Sequence, residues 1–307
     1  MRARSAYGSG FISVAMMVAW GALGAPAGAS VAVPTCHGQA ATIVGTDGDD
    51  TLTGTTGNDV VALGAGNDTF GADLGDDTVC GGPGDDTIGG DKGVDHLFGE
   101  DGNDHLDGGH EATFEDDAVD GGTGNDTLSG ESGTYLGGAG ADTYLSPDEG
   151  GQNLTVRLGS GADRAVIDNL YLATFYGDEG RDVFQVPDPF MGADTDRTIA
   201  HVDGGPGIGR LTFAGSHHKV QILVNHATAL WGRGTITFGF MDEFVGSERD
   251  DTLTGNSLVD DRLFGSGGDD VLRGNAGDDH LVGGKGSDTA YGGRGHDTCT
   301  AEHRHSC

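Results

Sequence analysis

Seven nine-residue units run without a break from Gly45 to Asp107, each with Asp at its sixth position and an apolar residue at its eighth. They read GTDGDDTLT, GTTGNDVVA, LGAGNDTFG, ADLGDDTVC, GGPGDDTIG, GDKGVDHLF and GEDGNDHLD. The sixth positions are Asp50, Asp59, Asp68, Asp77, Asp86, Asp95 and Asp104; the eighth are Leu52, Val61, Phe70, Val79, Ile88, Leu97 and Leu106. Chance does not hold a register this long, and a fixed period of this size is the signature of a chain that coils on itself. A turn of two units stacks Asp50, Asp68, Asp86 and Asp104 along one edge and Asp59, Asp77 and Asp95 along the other.

The pattern returns twice. After a piece from Gly108 to Asp120, which contains Asp117, come GGTGNDTLS with Asp126, a shortened GESGTYL with no sixth-position Asp, and GGAGADTYL with Asp142. From Gly246 the units carry Asp251, Asp261, Asp270, Asp279, Asp288 and Asp297. The unit from Gly255 to Phe264 is one residue too long, so Asp261 keeps register only if the extra residue bulges out.

These units resemble the repeats-in-toxin (RTX, hemolysin-type) nonapeptide, whose consensus G-G-x-G-x-D-x-U-x winds into a calcium-binding parallel β-coil. The stretches HVDGGPGIGRLTFAG, KVQILVN and FVGSERDDTLTGN resemble the segments joining one array to the next in secreted bacterial members. The resemblance implies an all-β fold, a parallel β-roll or β-solenoid in two arrays, and several bound Ca2+ ions. It implies no single activity, because such arrays accompany proteases, lipases, cytotoxins and adhesins.

The residues support that chemistry by themselves. Calcium takes six to eight oxygen ligands, and carboxylates with backbone carbonyls form the flexible shell it prefers. Glycines at the first, second and fourth positions permit positive φ and let carbonyls crowd a ligand. Neighbouring rungs lie roughly 4.8 Å apart, so two stacked carboxylates repel by about 3 to 4 kcal/mol at an effective dielectric near 20. One modest apolar side chain per unit offsets little of this, so metal binding and folding are expected to be one event. The sixteen sixth-position and equivalent Asp residues named above are the expected metal ligands.

Composition narrows the function classes. A net charge of −33 with 16 basic and 49 acidic residues leaves no basic face for nucleic acid. Acidity with low hydrophobicity is the mark of a disordered chain, which is the state expected without calcium. Arg2 and Arg4, the apolar run from Phe11 to Leu23 and the small residues APAGAS form a secretory signal peptide over 1–29. That run is too short to span a bilayer, and no later stretch approaches one. A secreted, extracellular protein meets both calcium and oxidising conditions. Of the three possible pairings of Cys36, Cys80, Cys299 and Cys307, Cys36–Cys80 with Cys299–Cys307 fastens each end of the solenoid to its own array. A zinc site from Cys299, His303, His305 and Cys307 is the competing arrangement.

The resulting organisation is a signal peptide (1–29), an N-terminal cap (30–44), a first array (45–145), an irregular β-rich connecting segment (146–245), a second array (246–300) and a C-terminal cap (301–307). Within the connecting segment Asp163 and Asp182 keep the sixth position, but Gly209 occupies it in GGPGIGRLT, so calcium sites are expected to thin out there. No catalytic motif is visible: His110-Glu111-Ala112-Thr113-Phe114 lacks the second histidine of a zinc protease, and no G-x-S-x-G elbow occurs. The chain is therefore read as a non-enzyme, with an unrecognised site in 146–245 as the residual alternative. His96, His105 and His280 fall at outward seventh positions, and no spacing among His201, His217, His218 and His226 is diagnostic. Thr51, Thr69 and Thr87 form a column of hydroxyls, which admits an adhesin or an ice- or glycan-binding surface as a second reading.

Overall fold

A single apolar residue between two outward-facing neighbours, followed by a glycine-rich turn, makes a strand of about three residues that can bury only its centre. Such strands are stable when stacked, and the computed structural model shows them stacked as a parallel β-solenoid. It describes residues 33–109, 116–147, 153–168, 172–187, 197–214, 216, 218–223, 227–231 and 234–307. The signal-peptide reading and the His110 motif lie outside these residues. Pro34–Cys307 form one unit, and no helix occurs among the described residues.

Each coil contributes one strand to each of two sheets. The first sheet has 13 strands, all parallel, from Thr51–Thr53 to Thr298–Thr300. Its central residues form one unbroken ladder: Leu52, Phe70, Ile88, Leu106, Leu128, Tyr144, Ala165, Phe184, Leu211, Phe244, Leu263, Leu281 and Cys299. The second sheet runs from Ile43–Val44 to His303–His305. Its ladder passes through Val61, Val79, Leu97, Val119, Tyr135, Val156, Phe175, Val202 and Phe238. The two ladders face one another and form the core.

Sheet pairing continues through 146–245, where the sequence loses its register. From the end of the first array onward the chain changes coil length and enlarges its core residues. Tyr135, Tyr144 and Phe175 meet edge to face at centroid distances of 5.5 and 5.7 Å, and Phe238 packs on Phe244 at 5.0 Å, contacts that add to plain area burial. The second sheet makes one departure from parallel order: Val220–Leu223, Thr228–Trp231 and Gly234–Gly239 form an antiparallel meander before Ile222 pairs with Leu253. Both ends are fastened covalently by Cys36–Cys80 and Cys299–Cys307. The second bond removes the thiolates a zinc site at Cys299 and Cys307 would require.

Candidate metal centre

Parallel stacking places each sixth-position Asp directly above the Asp of the next coil on the same edge. One carboxylate oxygen is fixed by this stacking. Asp68 Oδ1 accepts the backbone N–H of Asp50 at 2.7 Å, and the same bond joins Asp68 to Asp86, Asp86 to Asp104, Asp104 to Asp126, Asp126 to Asp142, Asp142 to Asp163 and Asp163 to Asp182 at 2.8 to 3.1 Å. The opposite edge carries Asp59, Asp77, Asp95 and Asp117 in the same arrangement. In the C-terminal coils one edge links Asp251, Asp270 and Asp288, and the other Asp261, Asp279 and Asp297.

The second oxygen divides these residues into two groups. Asp50 and Asp59 turn Oδ2 onto the backbone N–H of Thr46 and Thr55 at 2.6 and 2.7 Å, Asp251 turns it onto Ser247, and Asp261 onto Asn256. These four open their ladders and close on their own turns. Inside the ladders, Oδ2 of Asp68, Asp77, Asp86, Asp104, Asp126, Asp142, Asp163, Asp182, Asp270, Asp279, Asp288 and Asp297 is buried with no hydrogen-bond partner. A buried anionic oxygen without a partner is costly, and an arrangement repeated a dozen times is suited to a cation.

The surroundings fit one. A methyl group placed on Gly99 would lie 2.2 Å from Asp104 Oδ2 and 2.5 Å from the Gly121 carbonyl oxygen. The corresponding point at Gly121 meets Asp126 Oδ2 at 2.4 Å and the Gly137 carbonyl at 2.5 Å, and that at Gly265 meets Asp270 Oδ2 at 2.1 Å and the Gly283 carbonyl at 2.4 Å. First-position glycines therefore do not serve through positive φ; they leave room where a carboxylate and a carbonyl from the next coil converge. Such an all-oxygen donor set is the chemistry of a hard cation. The second and fourth positions do take the left-handed backbone, as at Gly82 (φ 111°) and Gly84 (φ 139°).

Burial and the like charges above and below raise the carboxyls out of their ordinary range. Desolvation is the larger cause. It pushes Asp104 and Asp270 up to about 7, and Asp86, Asp126, Asp142, Asp163, Asp182 and Asp261 up to about 6. At neutral pH a metal-free ladder would thus hold partly protonated acids.

The two edges behave differently in the connecting segment. Along the first sheet Asp163 and Asp182 continue the ladder, Gly209 interrupts it, and Asp242 resumes it by accepting the Gly209 N–H at 3.1 Å. Along the second sheet the equivalent positions after Asp117 are Gly133, Leu154, Ala173 and Ala200. Carboxylates are therefore lost along the second-sheet edge and interrupted once, at Gly209, along the first. Around Gly209 the local charge is internal: Glu243 lies 3.5 Å from Arg210 and 3.7 Å from Arg181.

Another ladder escapes the sequence reading. At the fifth position, Asp85 N–H donates to Asn67 Oδ1 at 3.1 Å, Asn103 N–H to Asp85 Oδ1 at 2.8 Å, and Asn125 N–H to Asn103 Oδ1 at 2.9 Å. Its signal was the repeated Asn-Asp or Asp-Asp pair at the fifth and sixth positions. The outward Thr51, Thr69 and Thr87 stand in register, and His105 follows them in the same row.

No curated protein matches this chain. Four copies of the RTX calcium-binding nonapeptide repeat match residues 44–79, 81–109, 111–144 and 264–299, within both arrays. With the β-roll and its carboxylate ladders, these matches show that the chain carries RTX calcium-binding nonapeptide repeats in both arrays.

Proposed function

We propose that this protein is a secreted module whose folding is switched on by several calcium ions bound between Asp-bearing turns. The observation that carries this reading is the row of buried, unpartnered Oδ2 atoms, several of which, as at Asp86, Asp104, Asp126, Asp270 and Asp279, converge with a carbonyl of the next coil. Asp68, Asp77, Asp86, Asp95, Asp104, Asp117, Asp126, Asp142, Asp270, Asp279, Asp288 and Asp297 would hold the ions. Asp163 and Asp182 join them, while Asp50, Asp59, Asp251 and Asp261 terminate the ladders. The metal supplies positive charge between stacked carboxylates; the chain supplies the spacing, the carbonyls and the glycine clearance. Two disulfides suit an oxidising, calcium-rich exterior, and among the described residues no helix is long and apolar enough to cross a membrane. The role of the folded rod is structural or interactive.

Far-UV circular dichroism of the chain from Ser30 to Cys307, titrated from EGTA into millimolar calcium with a magnesium control, tests the reading. A cooperative, calcium-specific rise of β signal is expected, with Asp86→Ala and Asp270→Ala each raising the midpoint. A spectrum already rich in β in EGTA and unmoved by calcium refutes it.

A further inference from the structure

The outer face of the second sheet changes character in the connecting segment. One outward row reads Thr134, Thr155, Thr174, His201 and Thr237 in register, with His201 Nδ1 3.0 Å from the Thr237 hydroxyl. The next row reads Arg157, Tyr176, Asp203 and Gly239. Hydroxyls, a guanidinium, an aromatic ring and a carboxylate thus recur one per rung on a rigid surface.

A cleft of about 350 Å³ opens in this face, lined by Arg157, Tyr176, Asp178, Asp203 and Phe240. Gly205 and Pro206 complete its lining, and Gly239 adds no side chain to the row beside it. Phe240, at φ 48°, adopts a left-handed backbone that non-glycine residues seldom take, and this turns its ring outward to 76% exposure as one wall. The guanidinium of Arg157 lies 4.3 Å from the Tyr176 ring centre and 2.8 Å from Asp178 Oδ1. That pair is self-neutralised and held in place, whereas Asp203 receives the Gly205 N–H at 3.0 Å and brings the cleft's remaining charge. None of these groups belongs to the carboxylate ladders.

We infer that this cleft binds a neutral glycan through one or two pyranose rings. The apolar C–H face of a pyranose stacks on an exposed aromatic ring, and its hydroxyls need acceptors and donors together, which Asp203, Asp178 and Arg157 supply at the rim. The size is that of a small-ligand site. A net charge of −33 disfavours polyanions, so acidic polysaccharides and nucleic acids are poor occupants. The flanking threonine and histidine row lets a longer chain continue across the rungs.

Affinity electrophoresis of the calcium-loaded protein in gels containing dextran, laminarin, glucomannan or soluble starch tests the inference, with alginate as an acidic control. Retardation by at least one neutral polymer is expected, weakened at least tenfold by Phe240→Ala and by Asp203→Asn but unchanged by Leu258→Ala on the exposed long unit. Circular dichroism of each variant in calcium confirms folding, so loss of binding stays distinct from failure of the calcium switch. Retardation by none of the neutral polymers, retardation by alginate alone, or retardation that survives Phe240→Ala overturns the assignment.

Discussion

Asp104→Asn separates the two roles of a ladder residue, because the amide keeps one oxygen and loses the charge. Asp104 Oδ1 accepts the Asp86 N–H at 2.8 Å, and asparagine can retain this bond. At the Oδ2 position it places an NH2 group, beside the Gly121 carbonyl that converges on the same space. Without metal, the substitution removes repulsion from Asp86 and Asp126, about 3 to 4 kcal/mol for each fully charged neighbour at rung spacing and a dielectric near 20. It also gives a buried acceptor a donor. With calcium, it deletes a ligand. The expected outcome is a change of sign: in EGTA at pH 8 the variant shows at least as much β signal as the parent, whereas in calcium its folding midpoint rises by tenfold or more, about 1.4 kcal/mol. Paired dichroism titrations read both arms. Loss of β signal in EGTA together with an unmoved calcium midpoint would show that Asp104 is an ordinary structural acid, and the argument would fall.

The pH dependence follows from the raised carboxyls. A metal-free fold that holds Asp104 and Asp270 near 7 and their neighbours near 6 binds more protons than the unfolded chain between about pH 4 and 7. Its stability therefore falls as pH rises through that window, and dichroism in EGTA should show β signal gained on acidification from pH 8 to 5; protons compete with calcium, so the calcium midpoint should rise over the same acid range. Gly84→Ala, at φ 139° and with its new methyl 2.0 Å from the Gly66 carbonyl oxygen, should cost more than the roughly 1 to 3 kcal/mol of backbone strain alone. Gly48→Ala, with nothing within 4 Å, should leave urea midpoints in calcium nearly unchanged. Replacing Cys36 and Cys80 by Ser opens a loop of sequence separation 44 and should cost about 4 kcal/mol, against about 2.5 kcal/mol for Cys299 and Cys307 with a separation of 8, both read by urea unfolding in calcium.

The arrays were legible because a period of nine fixes three things at once: which residue enters the core, which edge each Asp occupies and which strands pair. Leu52, Phe70, Ile88 and Leu106 pair as the spacing requires. The end of the first array and the start of the connecting segment were less legible because successive ladder bonds from Asp104 to Asp182 span 22, 16, 21 and 19 residues, so no constant period marks the coils. The Val220–Gly239 meander lies in the segment read only as irregular and β-rich, and antiparallel pairing leaves no trace in sequence alternation alone. Asp242 was missed since its unit has no glycine frame. Fifth-position Asn and Asp look like solvated turn residues, and only stacking turns Asn67, Asp85 and Asn103 into a ladder. The clearance at first-position glycines is a property of two neighbouring coils and cannot be seen in one unit.

The asymmetry between the edges bears on how the rod folds. In the first array both edges carry stacked carboxylates, and each coil buries one aliphatic or aromatic residue per sheet. Around Leu154 and Ala173 the second-sheet edge is apolar, with both residues nearly inaccessible, and the adjacent cores hold Tyr135, Tyr144, Phe175 and Phe184. Those coils lose repulsion on one edge and gain buried area, the two terms that oppose and favour folding without metal. In a stacked rod each coil contacts only its neighbours, so stability sums along the axis and folding spreads from the most stable coils. On the proposed reading, local stability without calcium should be highest near Val156 and Phe175 and decline toward Asp68 and Asp288, where carboxylates stack on both edges. Calcium binding at a ladder site adjoining the central coils adds to a preformed neighbour, whereas binding at a distant site must order its own coil first. Assembly should accordingly proceed outward, and the terminal disulfides, by tying Cys36 to Cys80 and Cys299 to Cys307, hold in place the coils that this gradient leaves weakest.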